Sequence, residues 1–481
     1  MPSIDARLFL AGRYVGPASD ESVPVSSPVT GEHLADLPVP TAGQVDEAVA
    51  AARTAFEVYR KWSAYERAEL CHRIAGLIDS RADTLATLTT LEQGKPYQSE
   101  AHGDVEDTAG LFRVSAEDSL RLYGETIPSA GRGKRMLTWH APVGVWAAIT
   151  PWNFPLMIAA EFIAPALATG NAVVAKPPSI TPLACLALGE ILAEAGVPEG
   201  LVSILPGDGA VGERLVTHPG VDAIGFVGSS ATAERIVRAA GLKRSIIEAS
   251  GNGPVIVLAD ADITRAAQAV VYGAYWNAGQ VCCATERVLV DAAVSAEFSA
   301  AVLKAADEVV LGDPFDQATT MGPLCNEMTA AKMDRHVADA VGRGASVLRG
   351  GGRAAGQPTD LYYELTVLDG VSQDMLASRE ETFGPIVPII AADGDDELLR
   401  IANSDQLGLQ AAVFTQSLHR AFRFSEELRV GSVVVNESTD YFENAQPFGG
   451  AGGTRTGWGR VGGLAQLREM TDLRTTIISL D

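Results

Sequence analysis

Two adjacent cysteines stand in the stretch "NAGQVCCATERV", which spans residues 277 to 288. Cys282 and Cys283 are two of the five cysteines in the chain, and they come directly after Gly279-Gln280-Val281. A disulfide between neighbouring cysteines closes a strained ring that departs from the preferred disulfide geometry. We therefore predict that one of the two is a reactive thiol, and the spacing alone leaves open which one.

A carboxylate ends an apolar run in the stretch "SIIEASGNGP". Glu248 follows a predicted strand and precedes a glycine-rich turn. A carboxylate in such a place can act as a general base with a raised pKa. The alternative is a turn carboxylate that caps a helix.

Three further stretches could bind an anionic nucleotide. "GDGAVG" at 207–212 matches the dinucleotide fingerprint, but the acidic residue expected about 20 residues on is absent, so a plain turn with a helix cap is at least as good an interpretation. In "FVGSS", Gly228 and Ser229 lie between a strand and a helix, where free amides can face a pyrophosphate, although Ser229 could simply be an N-cap. Lys176 ends the buried strand of "VVAKPPS" and would place a cation at the ligand-binding edge of a parallel sheet, unless it only extends its amine to solvent.

Composition excludes several classes of protein. The chain has 481 residues, which predicts two or three domains, and it is 47% hydrophobic and 20% charged, as in an ordinary globular protein. Its formal charge of −23 argues against a nucleic-acid partner, because phosphate binding needs a basic face. The cysteines show no framework spacing and no CxxC pair, so we expect a reducing, cytoplasmic location and no metal site.

The chain contains one stretch that imitates a membrane span. Residues 143–175 carry a single charge, Glu161, but Pro151, Pro155 and Pro165 divide the stretch into pieces shorter than the ~20 residues that a spanning helix needs. The N-terminus lacks the basic and apolar regions of a signal peptide. We therefore predict a soluble protein with no membrane partner.

Short apolar runs alternate with amphipathic segments of helical length from Gly144 onward. This alternation predicts βαβ units and a parallel sheet, and a second series begins near Pro254, so two α/β domains should join near residues 250–254. Residues 45–78 are predicted to be helical and amphipathic. The predicted strands are 144–150, 171–176, 201–205, 223–228, 244–249, 254–260, 287–291, 386–391, 411–415 and 431–436.

Seven short motifs, in this order, resemble the aldehyde dehydrogenase superfamily over essentially the whole chain. They are "PWNFP" (151–155), "AKPPS" (175–179), "FVGS" (226–229), "EASGNGP" (248–254), "GQVC" (279–282), "EETFGP" (380–385) and "PFGG" (447–450). The resemblance implies an α/β fold with a Rossmann-like NAD(P)-binding domain, an α/β catalytic domain and a small β oligomerisation element. The NAD(P)-binding domain would comprise residues 1–123 and 143–250, and the catalytic domain would comprise residues 251–460. The oligomerisation element would comprise residues 124–142 and 461–481. A homodimer or homotetramer is implied.

The resemblance also assigns roles at the reacting centre. The family pattern G-Q-x-C places the nucleophile at Cys282 and gives Cys283 no role. Asn153, with the Cys282 backbone N–H, would hold the oxyanion, and Glu248 would activate the water that hydrolyses a thioester. The residues implied at the cofactor are Ile149, Trp152, Lys176, Ser179, Gly228, Ser229, Glu381 and Phe383.

Departures from the family pattern bear on specificity. Ser179 stands where members that prefer NAD usually have Glu, and the loss of that charge leaves Lys176 free to pair with a 2′-phosphate, so we expect NADP or NAD with NADP slightly favoured. The stretch after "PFGG" reads "AGGTRTGWGR" and could bring Arg455 to the pocket mouth.

The substrate prediction depends on two positions where members that take acidic semialdehydes carry arginine. This chain has Glu161 and Trp276 there, and a carboxylate repels an acidic tail. With Phe154, Phe442 and Phe448 as walls, we expect a neutral aromatic or aliphatic aldehyde. The alternatives are an anionic semialdehyde, transfer of the acyl group to coenzyme A, and a structural relative without activity, but Cys282, Asn153 and Glu248 are all retained.

Overall fold

The computed structural model describes residues 6–16 and 18–480. In chain order the strands are β1 (Leu8–Leu10), β2 (Arg13–Val15), β3 (Ser22–Ser26), β4 (His33–Pro38), β5 (Thr126–Ile127), β6 (Lys134–Pro142), β7 (Val145–Ile149), β8 (Ala172–Lys176), β9 (Val202–Ile204), β10 (Ala223–Gly228), β11 (Arg244–Ala249), β12 (Pro254–Val257), β13 (Arg287–Asp291), β14 (Ser346–Arg349), β15 (Thr366–Asp369), β16 (Ile386–Ala392), β17 (Gln410–Phe414), β18 (Ser432–Val435), β19 (Gly457–Trp458) and β20 (Thr471–Ser479).

The α-helices are α1 (Ala42–Tyr59), α2 (Ala64–Ser80), α3 (Ala82–Gln93), α4 (His102–Ser119), α5 (Met157–Thr169), α6 (Leu183–Glu194), α7 (Gly209–Thr217), α8 (Ser230–Ala240), α9 (Ile263–Tyr275), α10 (Ser295–Ala306), α11 (Glu327–Gly342), α12 (Leu376–Arg379), α13 (Gly394–Ala402), α14 (Leu418–Glu427) and α15 (Gly463–Glu469). A π-helical turn, Tyr97–Ala101, precedes α4, and a 3₁₀ turn, Trp276–Gly279, follows α9.

The first sheet positions one half of the site. Its order is β19-β11-β10-β7-β8-β9-β1-β2, and the strands from β11 to β9 are parallel and buried, with α1, α5 and α6 packed against them. The strands after β7 continue on one side of it as far as β9, and β10 then lies on its other side. Ligands bind at such a switch point in the strand order, outside the carboxyl ends of the strands. Ile149 pairs with Lys176 and Val227 with Glu248, so these residues share that edge.

The second sheet has the order β14-β15-β16-β13-β12-β17-β18 and is parallel from β15 to β18. Each sheet contributes to its own cluster of buried apolar side chains. The predicted α/β fold with parallel sheets is therefore confirmed.

A third sheet pairs strands from distant parts of the chain. β20 pairs antiparallel with β6 along nine residues, and β5 pairs with the other edge of β6. Residues 457–458, which we placed in the catalytic domain, form β19 and pair with β11 of the first sheet. The domain boundaries themselves stay a prediction.

The stretch predicted to be helical over residues 45–78 consists of two separate helices, α1 and α2. Ser63 accepts the Glu66 N–H, and the Glu66 carboxylate accepts the Ser63 N–H, which is a capping box that starts a new helix. Among the described residues, no helix combines the length and the apolar character needed to span a bilayer.

Candidate active site

The loop that carries the two cysteines leaves α9 through a strained turn. Asn277 and Ala278 have φ values of 49° and 52°, which non-glycine residues adopt only when their surroundings hold them there. The Asn277 side-chain oxygen accepts a hydrogen bond from Gln93 at 2.8 Å, and its backbone N–H donates to the Glu100 carboxylate at 3.0 Å. Buried hydrogen bonds therefore hold the turn in place.

The turn after Glu248 packs directly on this loop. A Cβ atom at Gly251 would lie 1.9 Å from the carbonyl oxygen of Cys282, so only glycine fits there. Cys282 is partly exposed and lines two cavities, whereas Cys283 is 4% exposed and lines only one of them. Of the two cysteines, Cys282 is therefore the one that both cavities reach.

Glu248 lies at the carboxyl end of β11, beside Cys282. It is 4% exposed, and its Oε1 has no hydrogen-bond partner among the described residues. Burial raises the pKa of Glu248 to about 7, against the lowering effect of a hydrogen bond with the Cys282 thiol, and the charge of Glu381 raises it further. It caps no helix of the described chain, and a carboxyl group that titrates near neutrality suits a general base.

The Cys282 thiol is held in its protonated form in this structure. A hydrogen bond with the Cys283 thiol raises the pKa of Cys282 well above its ordinary value, and burial and the charge of Glu248 raise it further. The proton must therefore leave as the sulfur attacks. Glu248, which lines both cavities together with Cys282, can take that proton.

Asn153 faces the same point from the start of α5. Its side-chain Nδ2 donates to the Gln280 carbonyl at 3.0 Å, and the Asn277 amide donates to the Asn153 carbonyl at 3.1 Å. An amide group carries two N–H bonds, so one remains to meet an oxygen near Cys282. Asn277 and Gln280 are positioning residues that sequence reasoning missed, although both stand in the quoted cysteine stretch.

One of the two cavities, of about 320 Å³, opens on the side of the first sheet. It brings together Trp152, Gly228, Ser229, Glu381 and Phe383 with Cys282 and Glu248. The Trp152 and Phe383 rings meet edge to face at 5.4 Å. These five residues of the predicted cofactor set thus lie beside the reactive thiol.

A buried carboxylate shapes the loop that presents Glu381 and Phe383. Glu286 accepts the backbone N–H groups of Thr382 and Phe383, the latter at 2.9 Å, while Glu381 accepts the Gly251 N–H at 2.8 Å. Burial raises the pKa of Glu286 to about 8. Glu286 was not predicted as a site residue, because only its place shortly after the two cysteines distinguishes it in the sequence.

The structure contains features that fit a dinucleotide. Ser229 is the N-cap of α8, as the simpler interpretation predicted, and the first turn of α8 opens into a cleft of about 960 Å³ that also contains Glu381. Asp208 likewise caps α7, so "GDGAVG" is a turn with a helix cap. A helix N-terminus beside a cleft of this size suits a pyrophosphate.

Lys176 adds a buried cation at the same sheet edge as Ile149. It is 7% exposed, its amine donates to the Pro177 carbonyl at 3.1 Å, and no ion pair with a carboxylate is formed within the described chain. Burial lowers the pKa of Lys176 to about 8, against the opposing charge of Asp208. Ser179 is half-buried three residues on, and no hydrogen bond joins it to Lys176. A ribose or phosphate oxygen would supply the lysine with the partner that it lacks.

The other cavity, of about 310 Å³, reaches Cys282 from the opposite side. All five residues predicted for the substrate pocket line it: Phe154, Glu161, Trp276, Phe442 and Phe448. The rings of Phe154 and Trp276 lie 5.4 Å apart, and those of Phe442 and Phe448 lie 5.5 Å apart. Further residues of the wall that sequence reasoning missed are Asp107, Tyr272, Glu437 and Asp440.

Arg455 does not approach this cavity. Its guanidinium pairs with the Glu234 carboxylate at 2.6 Å and lines the large cleft beside α8. The altered stretch after "PFGG" therefore directs its arginine to the cofactor side, and the expectation that Arg455 could reach the substrate mouth is wrong.

Residues 14–476 match the model of the aldehyde dehydrogenase family. The chain belongs to the aldehyde dehydrogenase family. It is 37% identical over 469 residues to a mitochondrial succinate-semialdehyde dehydrogenase of Arabidopsis thaliana, covering 97% of this chain and 88% of that protein. It is 35% identical to the NADP(+) succinate-semialdehyde dehydrogenase of Escherichia coli strain K12, covering 99% of both chains.

Solved structures of aldehyde dehydrogenases have the same fold. An indole-3-acetaldehyde dehydrogenase in complex with NAD+ superposes with a TM-score of 0.96 at 36% identity, covering 99% of this chain and 97% of that one. The aldehyde dehydrogenase described here thus resembles relatives named for anionic aldehydes and one named for a neutral aromatic aldehyde.

Proposed function

We propose that this aldehyde dehydrogenase oxidises its substrate to the free carboxylic acid, with Cys282 as nucleophile and water as the final acyl acceptor. The observation that carries the proposal is that Cys282 and Glu248 together line both cavities. A substrate entering from one side and a cofactor entering from the other would meet at this thiol–carboxylate pair. The enzyme uses NAD(P)+, which supplies the hydride acceptor when bound.

The chain's own groups account for the remaining steps. The Cys282 sulfur attacks the carbonyl carbon, and its proton passes to Glu248. The oxyanion is held by the free N–H of Asn153 and the Cys282 backbone N–H, and losing one such donor typically costs ~3 kcal/mol of barrier. After the hydride has left, the acyl group remains as a thioester on Cys282. Glu248 first loses that proton to solvent. Its carboxylate then removes a proton from a water molecule, whose oxygen adds to the thioester carbon. The C–S bond breaks, the acid is released, and the proton on Glu248 returns to the Cys282 thiolate.

The rival reaction passes the acyl group to coenzyme A. Glu248 favours water, because a buried base with a pKa of about 7 is what hydrolysis needs. The product of a hydrolysable aldehyde assayed with and without coenzyme A separates the two. We expect free acid at the same rate in both assays, and an acyl-coenzyme A product would refute the proposal.

An acidic substrate tail is disfavoured. Among the described residues, the side chains that line the substrate cavity include no lysine or arginine, whereas five of them are Asp or Glu. Burial raises the pKa of Glu161 and of Asp440 well above the ordinary value and keeps both protonated near neutrality, so a carboxylate tail would meet no cation in this cavity to replace its lost hydration. We therefore keep an aromatic or aliphatic aldehyde without a carboxylate as the substrate.

Cofactor preference gives a testable prediction at Ser179. We expect NADP to be used at least as well as NAD in the wild type, because Lys176 lacks a carboxylate partner. Ser179→Glu should reduce kcat/KM with NADP by about tenfold or more, or ~1.4 kcal/mol, and affect NAD far less. Ser179→Gln is the matched control, since it adds similar bulk without charge. A wild type that strongly prefers NAD, together with an inert Ser179→Glu, would contradict this assignment.

The third sheet offers a surface for self-association. On β20, Leu473 and Ile477 point to the same face of the sheet and are 62% and 61% exposed. Apolar side chains on an open sheet are an aggregation hazard unless a partner covers them, so we propose a homodimer or homotetramer formed through this sheet. Light scattering should give an oligomeric mass, and Leu473→Glu with Ile477→Glu should shift it towards the monomer. A wild-type monomer at micromolar concentration would disprove it.

A further inference from the structure

The substrate cavity has an unusual charge pattern. Besides the catalytic Glu248, four acidic residues belong to its wall: Asp107, Glu161, Glu437 and Asp440. They come from α4, α5 and the segment after β18, so their convergence is a property of the folded chain. An aldehyde dehydrogenase needs one base at the thiol, and the mechanism uses none of the other four.

Two of these carboxyl groups are buried without a partner. Asp440 is 6% exposed, and neither of its carboxyl oxygens has a hydrogen bond within the described chain. Glu161 is 3% exposed, and no hydrogen bond or ion pair of its carboxyl group is found there either. Burying an unpaired acid is costly, because no partner replaces the lost hydration. A ligand that provides a positive charge would relieve this cost.

The remaining wall is aromatic and suits the same kind of ligand. The rings of Tyr272 and Trp276 stack at 6.2 Å with an interplanar angle of 15°, and Phe154 lies 5.4 Å from Trp276. Tyr441 and Phe442 follow Asp440 directly in the chain and line the same cavity. Aromatic faces attract cations, and a desolvated contact of this type is worth ~2 kcal/mol.

The nearest cations of the protein itself are already paired. Lys95 lies against the Phe154 ring at 3.7 Å but forms an ion pair with Asp104 at 2.6 Å, and it does not line the cavity. Arg265 contacts the outer carboxylate, Glu437, at 3.7 Å, and both side chains are about half exposed. Inside the cavity the acidic groups other than Glu437 therefore have no cation of the chain beside them. Burial raises the pKa of Glu161 and of Asp440 well above the ordinary value, so both are protonated near neutrality, and a cation placed beside them would favour their ionised forms.

We propose that the preferred substrate is a cationic aldehyde, with an ammonium or quaternary ammonium group several bonds from the carbonyl. The carbonyl carbon meets Cys282, and the cation lies towards the mouth, among the Tyr272 and Trp276 rings and the carboxylates of Asp107 and Glu437. This inference rests on the proposed function, and it replaces the neutral aldehyde expected from the sequence with a positively charged one.

Three probes of similar length test the charge directly. They are 4-(trimethylammonio)butanal, its uncharged isostere 5,5-dimethylhexanal, and 4-oxobutanoate. We expect kcat/KM for the cation to exceed that for the isostere by about tenfold or more, and 4-oxobutanoate to be the poorest of the three. The ratio of the first two values isolates the charge, because their shapes are nearly the same.

Variants at the mouth connect that ratio to the proposed groups. Asp107→Asn combined with Glu437→Gln should lower the ratio of cation to isostere by about tenfold, mainly through KM for the cation. Asp440→Asn alone should also lower the ratio of kcat/KM for the cation to that for the isostere. Glu190→Gln, which removes a charge from an exposed position on α6 outside this cavity, should leave the ratio unchanged.

The outcomes separate this inference from the proposed function. If the isostere is oxidised as well as the cation, or if the mouth variants leave the ratio unchanged, the cationic substrate is disproved while aldehyde oxidation stands. If none of the three aldehydes is oxidised with either cofactor, the proposed function itself fails.

Discussion

Cys282→Ala should abolish aldehyde oxidation, by roughly 10⁴-fold or more, since removing the nucleophile of a covalent mechanism leaves only binding and oxyanion stabilisation. Cys283→Ala should keep most of the activity. Cys282 is the thiol that lines both cavities, and Cys283 is buried beside it. Reduction of NADP or NAD at saturating aldehyde measures both variants.

Thiol labelling gives this prediction a second measurement. The hydrogen bond with Cys283 is the largest cause of the raised Cys282 pKa, so its removal in Cys283→Ala should lower that pKa. Iodoacetamide should then modify Cys282 faster than in the wild type at the same pH, because the thiolate is the nucleophile. An active Cys282→Ala with an inactive Cys283→Ala would reverse the assignment.

Glu248→Gln should separate acylation from hydrolysis. Rapid mixing should still produce a burst of reduced cofactor close to one per active site, formed more slowly than in the wild type because the thiol proton must then pass to solvent. The following turnover should be slowed further, by roughly 10²- to 10⁴-fold, the usual contribution of a general base. The glutamine keeps the shape and the hydrogen-bonding capacity of the site but cannot accept a proton from water. Stopped-flow absorbance measures both phases.

The pH profile of the wild type provides the matching test. Because the base must be ionised, deacylation should rise with pH through the Glu248 pKa of about 7 and fall below it, and Glu248→Gln should lack this limb. Glu248 also contacts the Cys282 thiol, so it can serve both steps. If Glu248→Gln loses the burst in proportion to turnover, then thiol activation, and not hydrolysis, is its essential role.

The elements of both large sheets could be predicted from local sequence. Apolar runs such as 172–176 and 223–228 are short, are bounded by turns, and alternate with helical periodicity, and these signals depend only on neighbouring residues. The break between α1 and α2 was missed because a capping box of two side chains, Ser63 and Glu66, interrupts an otherwise continuous amphipathic pattern.

The reacting residues were also accessible from sequence, because each lies in a contiguous motif. The spacing of the cysteine stretch left two candidates, and only the G-Q-x-C pattern of the family placed the nucleophile at Cys282. The structure adds that the two thiols differ in exposure, since Cys282 is partly exposed and Cys283 is buried.

What only the tertiary structure decided is the chemistry of the cavity walls. The family resemblance placed Glu161 in the pocket, but no local pattern marks Asp107 or Asp440 as its neighbour, because they are dozens to hundreds of residues away. Their charges meet because α4, α5 and the segment after β18 pack around one cavity, and Arg455 is excluded because it pairs with Glu234 on α8. By itself the sequence determined the fold class and the reactive motifs, which are local properties. Apart from Glu161, the acidic wall of the pocket depends on long-range packing, so it became visible only in the folded chain.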